Sequence, residues 1–316
     1  MAPHLSRRSI IGGSAAVTVA TVCGGRAHAA TASLATDEIA PGIFVSQGRH
    51  ELFNPGNEGH IANVSFVIGR DGIAVIDTGG SAHVGRALLA AIRRLSDRPI
   101  RYVINTHMHP DHVFGNAALI APETVFVGHA KLPRGLGARS ERYLATGLAE
   151  LGPEAFEGTR VIPVTRLVAA TEVLDLGGRT LTLTAHKTAH TDNDLTVHDD
   201  QTGTLFLGDL LFSGHIPTLD GSIRGWLELL AALRQQPAAR VVPGHGPTSM
   251  GWPEAMDAEE RYLEAIARDV RAMLKRGQTL SEAMQSAAIT EKDAWLLAGE
   301  FHQRNVAAAF AELEWE

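Results

Sequence analysis

Residues 105–112 read Asn105-Thr106-His107-Met108-His109-Pro110-Asp111-His112. Three imidazoles and a carboxylate crowded into six residues are costly to hold together unless something pairs them. A divalent cation bound by nitrogen and oxygen does so. Such close neighbours cannot all close on one tetrahedral ion without strain. Alternation lets His107 and His109 point one way and Asp111 and His112 another, toward a second ion. Each ion then needs ligands from further along the chain. His190 lies in Thr188-Ala189-His190-Thr191, Asp209 follows Leu205-Phe206-Leu207-Gly208, and His245 lies in Pro243-Gly244-His245-Gly246. Each comes just after a β-type run. Glycine beside Asp209 and His245 lets backbone approach closely. Two ions about 3.5–4 Å apart can share one activated water, so the expected chemistry is hydrolysis. Asp111 and Asp209 are the candidate catalytic carboxylates, with Asp111 suited to orienting or relaying a proton.

These residues need elements to carry them. Tyr102-Val103-Ile104 reads as a buried strand, which puts the histidine cluster on a loop at its carboxyl end, where ligand sites of α/β sheets gather. Ile43-Phe44-Val45, 61–68 and 73–76 read as strands, with Arg70-Asp71-Gly72 as a turn. Residues 48–59 hold Pro55-Gly56 and read as a hairpin loop. Residues 81–95 have helical spacing, with Val84, Leu88, Leu89, Ile92 and Leu95 on one face. Later strands are expected at 171–176, 180–184, 195–197, 204–207 and 240–242, and helices at 225–233, 253–275 and 306–313. Strands followed by helices, twice over, fit two packed sheets with helices outside.

The chain has 316 residues, 45% hydrophobic and 20% charged, with formal net charge −7. That is ordinary globular composition. No basic stripe is visible to neutralise phosphates, so a nucleic-acid partner is not expected. The first 29 residues read as a leader. Arg7-Arg8 precedes a mildly apolar stretch over 10–22, and Ala27-His28-Ala29 offers a cleavage site. This is the signal-peptide pattern of the twin-arginine type. The apolar stretch is well short of the ~20 residues of a membrane span, so no membrane anchor is expected. The protein is expected to be periplasmic or secreted, with residues 30–316 as one mature domain. Cys23, the sole cysteine, falls in the leader, which leaves nitrogen and oxygen as the metal donors.

The segment 107–112 with His190, Gly208-Asp209 and Gly244-His245-Gly246, in that order, resembles the metallo-β-lactamase superfamily over about residues 43–246. The resemblance implies an α/β fold, a four-layer αββα sandwich with a two-metal site between the sheets and a helical extension at its C-terminus. It implies that His107, His109 and His190 hold the first metal, that Asp111, His112 and His245 hold the second, and that Asp209 bridges both. Asp77, in Ile76-Asp77-Thr78-Gly79, matches the family aspartate that supports a ligand histidine, where a carboxylate fixes the tautomer. Zinc is the implied metal, two per chain, although such donors also admit iron or manganese.

A narrower likeness covers residues 54–66, 102–116, 190–194 and 215–222 with Gly225-Trp226. These are similar to the quinoprotein relay system zinc metallohydrolases, exported proteins associated with quinoprotein dehydrogenases and cytochromes. It implies a partner of that kind and leaves the substrate unassigned; the two-metal chemistry itself suits an ester, amide or thioester of a small molecule. His215 lies six residues past Asp209 and is expected to donate to a substrate oxygen. Asp192, Asp194, Asp220 and Arg224 are further candidates, and the loop 48–59 with His50, Phe53 and His60 is where the family carries a flap. His83, His129, His186, His198 and His302 read as structural. Open alternatives are a periplasmic β-lactamase, a thioester hydrolase of the glyoxalase II kind, an iron oxidoreductase of the same fold, and a metal-binding accessory protein for quinoprotein electron transfer.

Overall fold

The computed structural model describes Met1 and residues 33–316. The leader and Cys23 lie outside the described residues. The elements in order are β1 (Asp37–Ala40), β2 (Ile43–Ser46), β3 (Val64–Ile68), β4 (Ile73–Ile76), α1 (Ala82–Leu95), β5 (Ile100–Asn105), the short helix α2 (Pro110–Val113), β6 (Val125–His129) and α3 (Leu132–Ala155). They continue with β7 (Arg166–Val168), β8 (Thr171–Asp175), β9 (Thr180–Ala185), β10 (Leu195–Asp199), β11 (Thr204–Phe212), α4 (Ile223–Leu233) and β12 (Arg240–His245). Last come α5 (Asp257–Lys275), α6 (Leu280–Ser286), α7 (Ile289–Lys292) and α8 (Ala298–Leu313).

The strands form two sheets, β1 to β7 in chain order and β12-β11-β10-β9-β8. Alternation along the strands sorts their side chains into layers. On β4, Ile73 and Val75 join Leu88 and Ile92 of α1 and Leu132 and Leu136 of α3 in one core. Ala74 and Ile76 face the other way, into a core shared with Leu181, Val197 and Phe206 of the second sheet. On β11, Leu205 and Leu207 pack against Trp226 of α4, Ile266 of α5 and Phe310 of α8. Helix, sheet, sheet and helix are therefore glued by three apolar layers, and each fully buried Leu, Ile or Phe contributes about 1.5–3 kcal/mol. This is the expected αββα sandwich.

Several boundaries differ from the pattern-based reading. Leu95 ends α1 at 48% exposure rather than on its buried face. β11 runs on through Asp209 to Phe212, because its polar residue is buried with the rest. Residues 254–256 form a separate 3-10 turn ahead of α5. α8 begins eight residues before the expected 306, at Ala298. α3 has no counterpart in the hydrophobic spacing. Its interior holds Gly135, Gly137 and Gly147, and few of its residues are buried.

Candidate metal centre

Parallel pairing of β4 with β5 sets Ile76 beside Ile104 and ends both strands at one edge. β4 leaves the sheet at Asp77, whose backbone is left-handed at φ 56°, an uncommon conformation for a residue with a side chain. That turn aims its carboxylate at the next loop. Asp77 Oδ1 accepts from the Thr106 N–H at 2.9 Å, and Oδ2 accepts from Thr106 Oγ1 at 2.7 Å. Oδ2 also lies 2.8 Å from His112 Nδ1. The loop is tied down again at the His112 carbonyl, which accepts from the Thr78 N–H at 3.0 Å and from Thr78 Oγ1 at 3.1 Å. His109 precedes α2, and Pro110 takes its first turn, where a missing N–H costs nothing.

Parallel pairing of β11 with β12 delivers Asp209 and His245 to the same edge. Here the glycine is obligatory. A Cβ on Gly244 would sit 1.9 Å from Asp209 Oδ1. His190 arrives from the loop between β9 and β10.

The ligand candidates gather as two adjoining groups, His107, His109, His190 and Asp209 in one and Asp111, His112 and His245 in the other. In the first, His109 Nδ1 lies 3.0 Å from His107 Nε2 and 3.1 Å from His190 Nε2. Asp209 Oδ2 is 3.7 Å from His107 Nε2 and 3.5 Å from His190 Nε2. In the second, Asp111 Oδ2 lies 3.3 Å from His245 Nε2 and 3.6 Å from His112 Nε2. Asp209 reaches this group too, with Oδ1 3.1 Å from His112 Nε2 and Oδ2 3.5 Å from His245 Nε2. All of these residues are buried or nearly so. His109 and Asp111 keep 16% and 13% of their side chains exposed.

The far nitrogen of every one of these histidines has a partner. His107 Nδ1 meets Thr106 Oγ1 at 3.0 Å, and Thr106 Oγ1 already donates to Asp77. His109 Nε2 meets Asp220 Oδ2 at 3.0 Å, and His190 Nδ1 meets the Thr218 carbonyl at 2.6 Å. His112 Nδ1 meets Asp77, and His245 Nδ1 meets the Ile61 carbonyl at 3.0 Å. Each outer contact accepts an N–H, so the inward nitrogens are left as bare lone pairs.

Metal ions fit this donor set. The imidazole nitrogens of the first group are spaced close to the edge of a zinc tetrahedron, about 3.3–3.4 Å for Zn–N bonds of 2.0–2.1 Å. His112 Nε2 and Asp209 Oδ1 are buried and satisfied by no hydrogen bond. Their 3.1 Å separation is short enough for one but badly angled. Buried polar atoms without partners are rare, and a cation beside both accounts for them. Electrostatics agree. Burial pushes the Asp209 carboxyl up, but His112, His245 and His107 outweigh it and hold it well below the usual range. Burial lowers His112 and His245, yet the carboxylates around them win, raising His112 well above its ordinary value and His245 to about 9, so without an ion each holds a proton between the carboxylates that a metal would displace. Burial, with neighbouring imidazoles adding to it, keeps His107 and His190 neutral, the latter at about 3, as a metal ligand must be.

The remaining candidates separate clearly. His215 is 4% exposed and lines the cavity above the two groups. Burial and the nearby His245 lower it to about 4, and its Nδ1 lies 2.6 Å from the Ile216 carbonyl. A neutral ring with its proton on Nδ1 offers Nε2 as an acceptor, which does not suit the expected donation to a substrate oxygen. Asp220 is drawn in, held by His109 and by Arg139. Asp192 pairs with Arg134, Asp194 is bound to the Thr191 N–H and hydroxyl, and Arg224 pairs with Glu316. Phe53 lines the cavity and His50 lies 6.3 Å from His215, whereas His60 turns back to Ser46 at 3.4 Å. His83, His129, His186, His198 and His302 find partners elsewhere in the fold.

Asn305 escaped the sequence pattern. Its Oδ1 accepts from the Leu219 N–H at 2.9 Å, and its Nδ2 donates to the Pro217 carbonyl at 2.6 Å. It therefore clamps both sides of Thr218, whose carbonyl orients His190. The signal would have been a helix starting before 306, with a buried amide on its inner face.

Residues 57–245 match the sequence profile of the Metallo-beta-lactamase superfamily. The chain belongs to this superfamily. Among superfamily relatives, it is 39% identical over 62 residues to a linear primary-alkylsulfatase of Pseudomonas sp., a match covering 20% of this chain and 12% of that enzyme. It is 27% identical over 236 residues to the acyl-coenzyme A thioesterase MBLAC2 of Bos taurus, covering 66% and 79% of the two chains. The sec-alkylsulfatase Pisa1 of Pseudomonas sp. superposes with a TM-score of 0.66 at 16% identity, over 88% of this chain and 50% of that one. A Burkholderia ambifaria β-lactamase domain protein does so at 0.64 and 18% identity, over 89% and 87%. The superfamily match stops at His245, so α5 to α8 lie beyond it.

The ligand groups form the floor of a cavity of about 560 Å³, a volume suited to a small molecule. Phe53, Ile61, Phe212, Leu219 and Phe301 supply apolar wall, and α3 and α8 add polar and charged residues to it.

Proposed function

We propose that the chain is an exported hydrolase with two zinc ions per chain, cleaving an ester or thioester of a small molecule in the periplasm beside a quinoprotein dehydrogenase or cytochrome. One observation carries the hydrolytic reading. Two ligand groups share Asp209 at the floor of a cavity, and every histidine is turned inward by an outer hydrogen bond. Relatives that are a thioesterase and an alkylsulfatase favour hydrolysis of a bond to an acyl or alkyl group. The paired arginines of the leader support export, and residues 215–222 with Gly225-Trp226 support the quinoprotein link.

His107, His109 and His190 would hold one zinc, Asp111, His112 and His245 the other, and Asp209 both. When bound, the ions would supply a water of pKa about 7 and a Lewis acid for the substrate's carbonyl oxygen. Of the two ligand-group carboxylates Asp111 is the more open to the cavity, and burial is outweighed there by His112 and His245, which hold it at about 2. As a carboxylate it accepts the proton of the attacking water at Oδ and passes it to the leaving group. His215 accepts a hydrogen bond at Nε2 and so orients a donor on the substrate. Phe53 and Phe301 narrow the space around the reacting groups.

The test is steady-state hydrolysis by zinc-loaded protein of p-nitrophenyl acetate, an acetyl thioester and a chromogenic cephalosporin. Turnover of the ester or thioester well above free zinc, with the cephalosporin near background, is expected. Rates no better than free zinc on all three contradict the proposal, and cephalosporin turnover alone makes it a β-lactamase.

A further inference from the structure

The cavity has a second kind of wall that the ligand groups do not explain. Arg139, Arg142 and Arg304 all face it. Arg139 is already engaged by Asp220 and by the Tyr143 hydroxyl. Arg142 and Arg304 are different. Neither makes a hydrogen bond or an ion pair with any described residue, a condition that Arg101 alone shares among the other described arginines, while surface arginines such as Arg134, Arg166, Arg261 and Arg271 all find carboxylates. In a chain of net charge −7, two uncompensated guanidinium groups at one cavity are a local reversal of sign.

Their placement is set by two helices far apart in sequence. On α3, Arg139, Arg142, Tyr143 and Thr146 recur at helical spacing and line the cavity together, as residues on one face must. On α8, Phe301, Arg304 and Asn305 do the same. Of the acidic lining residues, Asp111 and Asp209 belong to the ligand groups and Asp220 is held by Arg139 and His109. Glu150 remains, but it lies eight residues along α3 from Arg142, about 12 Å, and pairs with neither arginine. Both arginines are exposed, so an ion in solution can reach them. Guanidinium forks match the geometry of carboxylate, sulfate and phosphate, and two cations at a cleft raise the local concentration of anions. The opposite requirement is set by Phe53, Ile61, Leu219 and Phe301, which can bury only an apolar segment.

We propose that this cavity selects amphiphilic anions, substrates with an apolar segment packed on Phe53, Ile61, Leu219 and Phe301 and an anionic group received by Arg142 and Arg304. The inference rests on the hydrolase reading for the reaction, but not for the binding. It places specificity on α3 and α8 rather than on the ligand loops.

Isothermal titration of the zinc-loaded protein with hexanoate, hexyl sulfate, hexyl phosphate and neutral hexan-1-ol tests it, and the three anions separate the possible headgroups. At least one anion is expected to bind ten-fold or more tightly than hexanol. The Arg142→Ala/Arg304→Ala variant should cut that preference below three-fold, and Arg142→Lys/Arg304→Lys should keep most of it. Raising the salt to 0.5 M should shrink the preference, since exposed charges are screened. Both positions are on the surface, so unchanged thermal midpoints will show that the variants fold. Anions that bind no better than hexanol overturn the proposal. So does a preference that survives in the alanine variant, which would put the anion on the metals. Hydrolysis of p-nitrophenyl hexanoate and of the p-nitrophenyl monoester of adipic acid is measured alongside. If neither ester is cleaved while the anion preference holds and depends on the arginines, the hydrolase reading fails and the binding inference stands.

Discussion

The floor and the wall of the cavity are built on different principles. The floor hangs from strand ends. Asp77 and the 107–112 loop follow β4 and β5, Asp209 lies within β11, and His245 closes β12. These positions are fixed by sheet register and by backbone hydrogen bonds, so each ligand is carried beside a strand whose pattern shows in the sequence around it. The arginine-bearing wall comes from α3 and α8, more than a hundred residues apart, and their contribution depends on which helical face turns inward. On the proposed reading, metal chemistry belongs to the sheets and the choice of anion to the helices, and perturbing each should produce different losses.

The largest expected effect is on the floor. Asp209→Ala removes the carboxylate shared by both groups, and hydrolysis should fall at least about a thousand-fold, the equivalent of several kcal/mol of lost metal-assisted stabilisation. Zinc content should fall with it. Retained turnover with full zinc would mean that the two groups act separately. Asp77→Asn comes next. Asn tolerates the left-handed backbone, so the change isolates the charge that holds His112 and Thr106. Zinc affinity should drop about 10–100-fold in a competition titration against a chelating dye, and an unchanged affinity would remove Asp77 from the support of the site.

The contact between floor and wall is sharpened by Asn305→Ala. It strips the hydrogen bonds that hold residues 217–219, leaving a buried N–H and carbonyl unpaired, for a loss of about 1–3 kcal/mol in chemical denaturation. Because Thr218 orients His190, zinc binding should weaken as well. A stability loss with unaltered zinc affinity would make Asn305 structural alone.

The smallest effect concerns Glu259 on α5, buried against β11. Its Oε1 lies 3.1 Å from the Phe212 N–H, and its Oε2 is buried without a partner. Burial pushes its carboxyl well above the usual glutamate range, against the Phe212 N–H and with Asp209 and Glu260 adding to the rise. The folded state therefore keeps a proton that the unfolded chain releases. The stability this contributes is complete below about pH 4.5 and is lost as pH climbs toward the raised folded value. Glu259→Gln, which cannot ionise, should raise the thermal midpoint relative to the parent protein more at pH 8 than at pH 5. Equal shifts at both pH values would show that the carboxyl is not protonated in the fold.

The same division explains what could be read from the sequence. Histidines and aspartates within a few residues of β-branched runs announce themselves, and Asp77, His190, Asp209 and His245 all end up where their strands deliver them. The glycine before His245 was informative because only Gly244 lets β12 come so close to Asp209. Arg142, Arg304 and Asn305 gave no comparable signal. α3 carries several glycines and a weakly apolar face, so its spacing does not stand out, and the first turns of α8 are polar enough to pass for loop. Asp220 carried too weak a cue as well, since its link to His109 spans 111 residues.

On the proposed reading, Asp209 joins two metal sites on one floor. Metal analysis of protein purified from the compartment in which it matures tests this most directly, with the parent protein and Asp209→Ala measured side by side. About two zinc per chain in the parent and clearly fewer in the variant is the expected result. One iron per chain, or a single zinc that Asp209→Ala leaves in place, would contradict it.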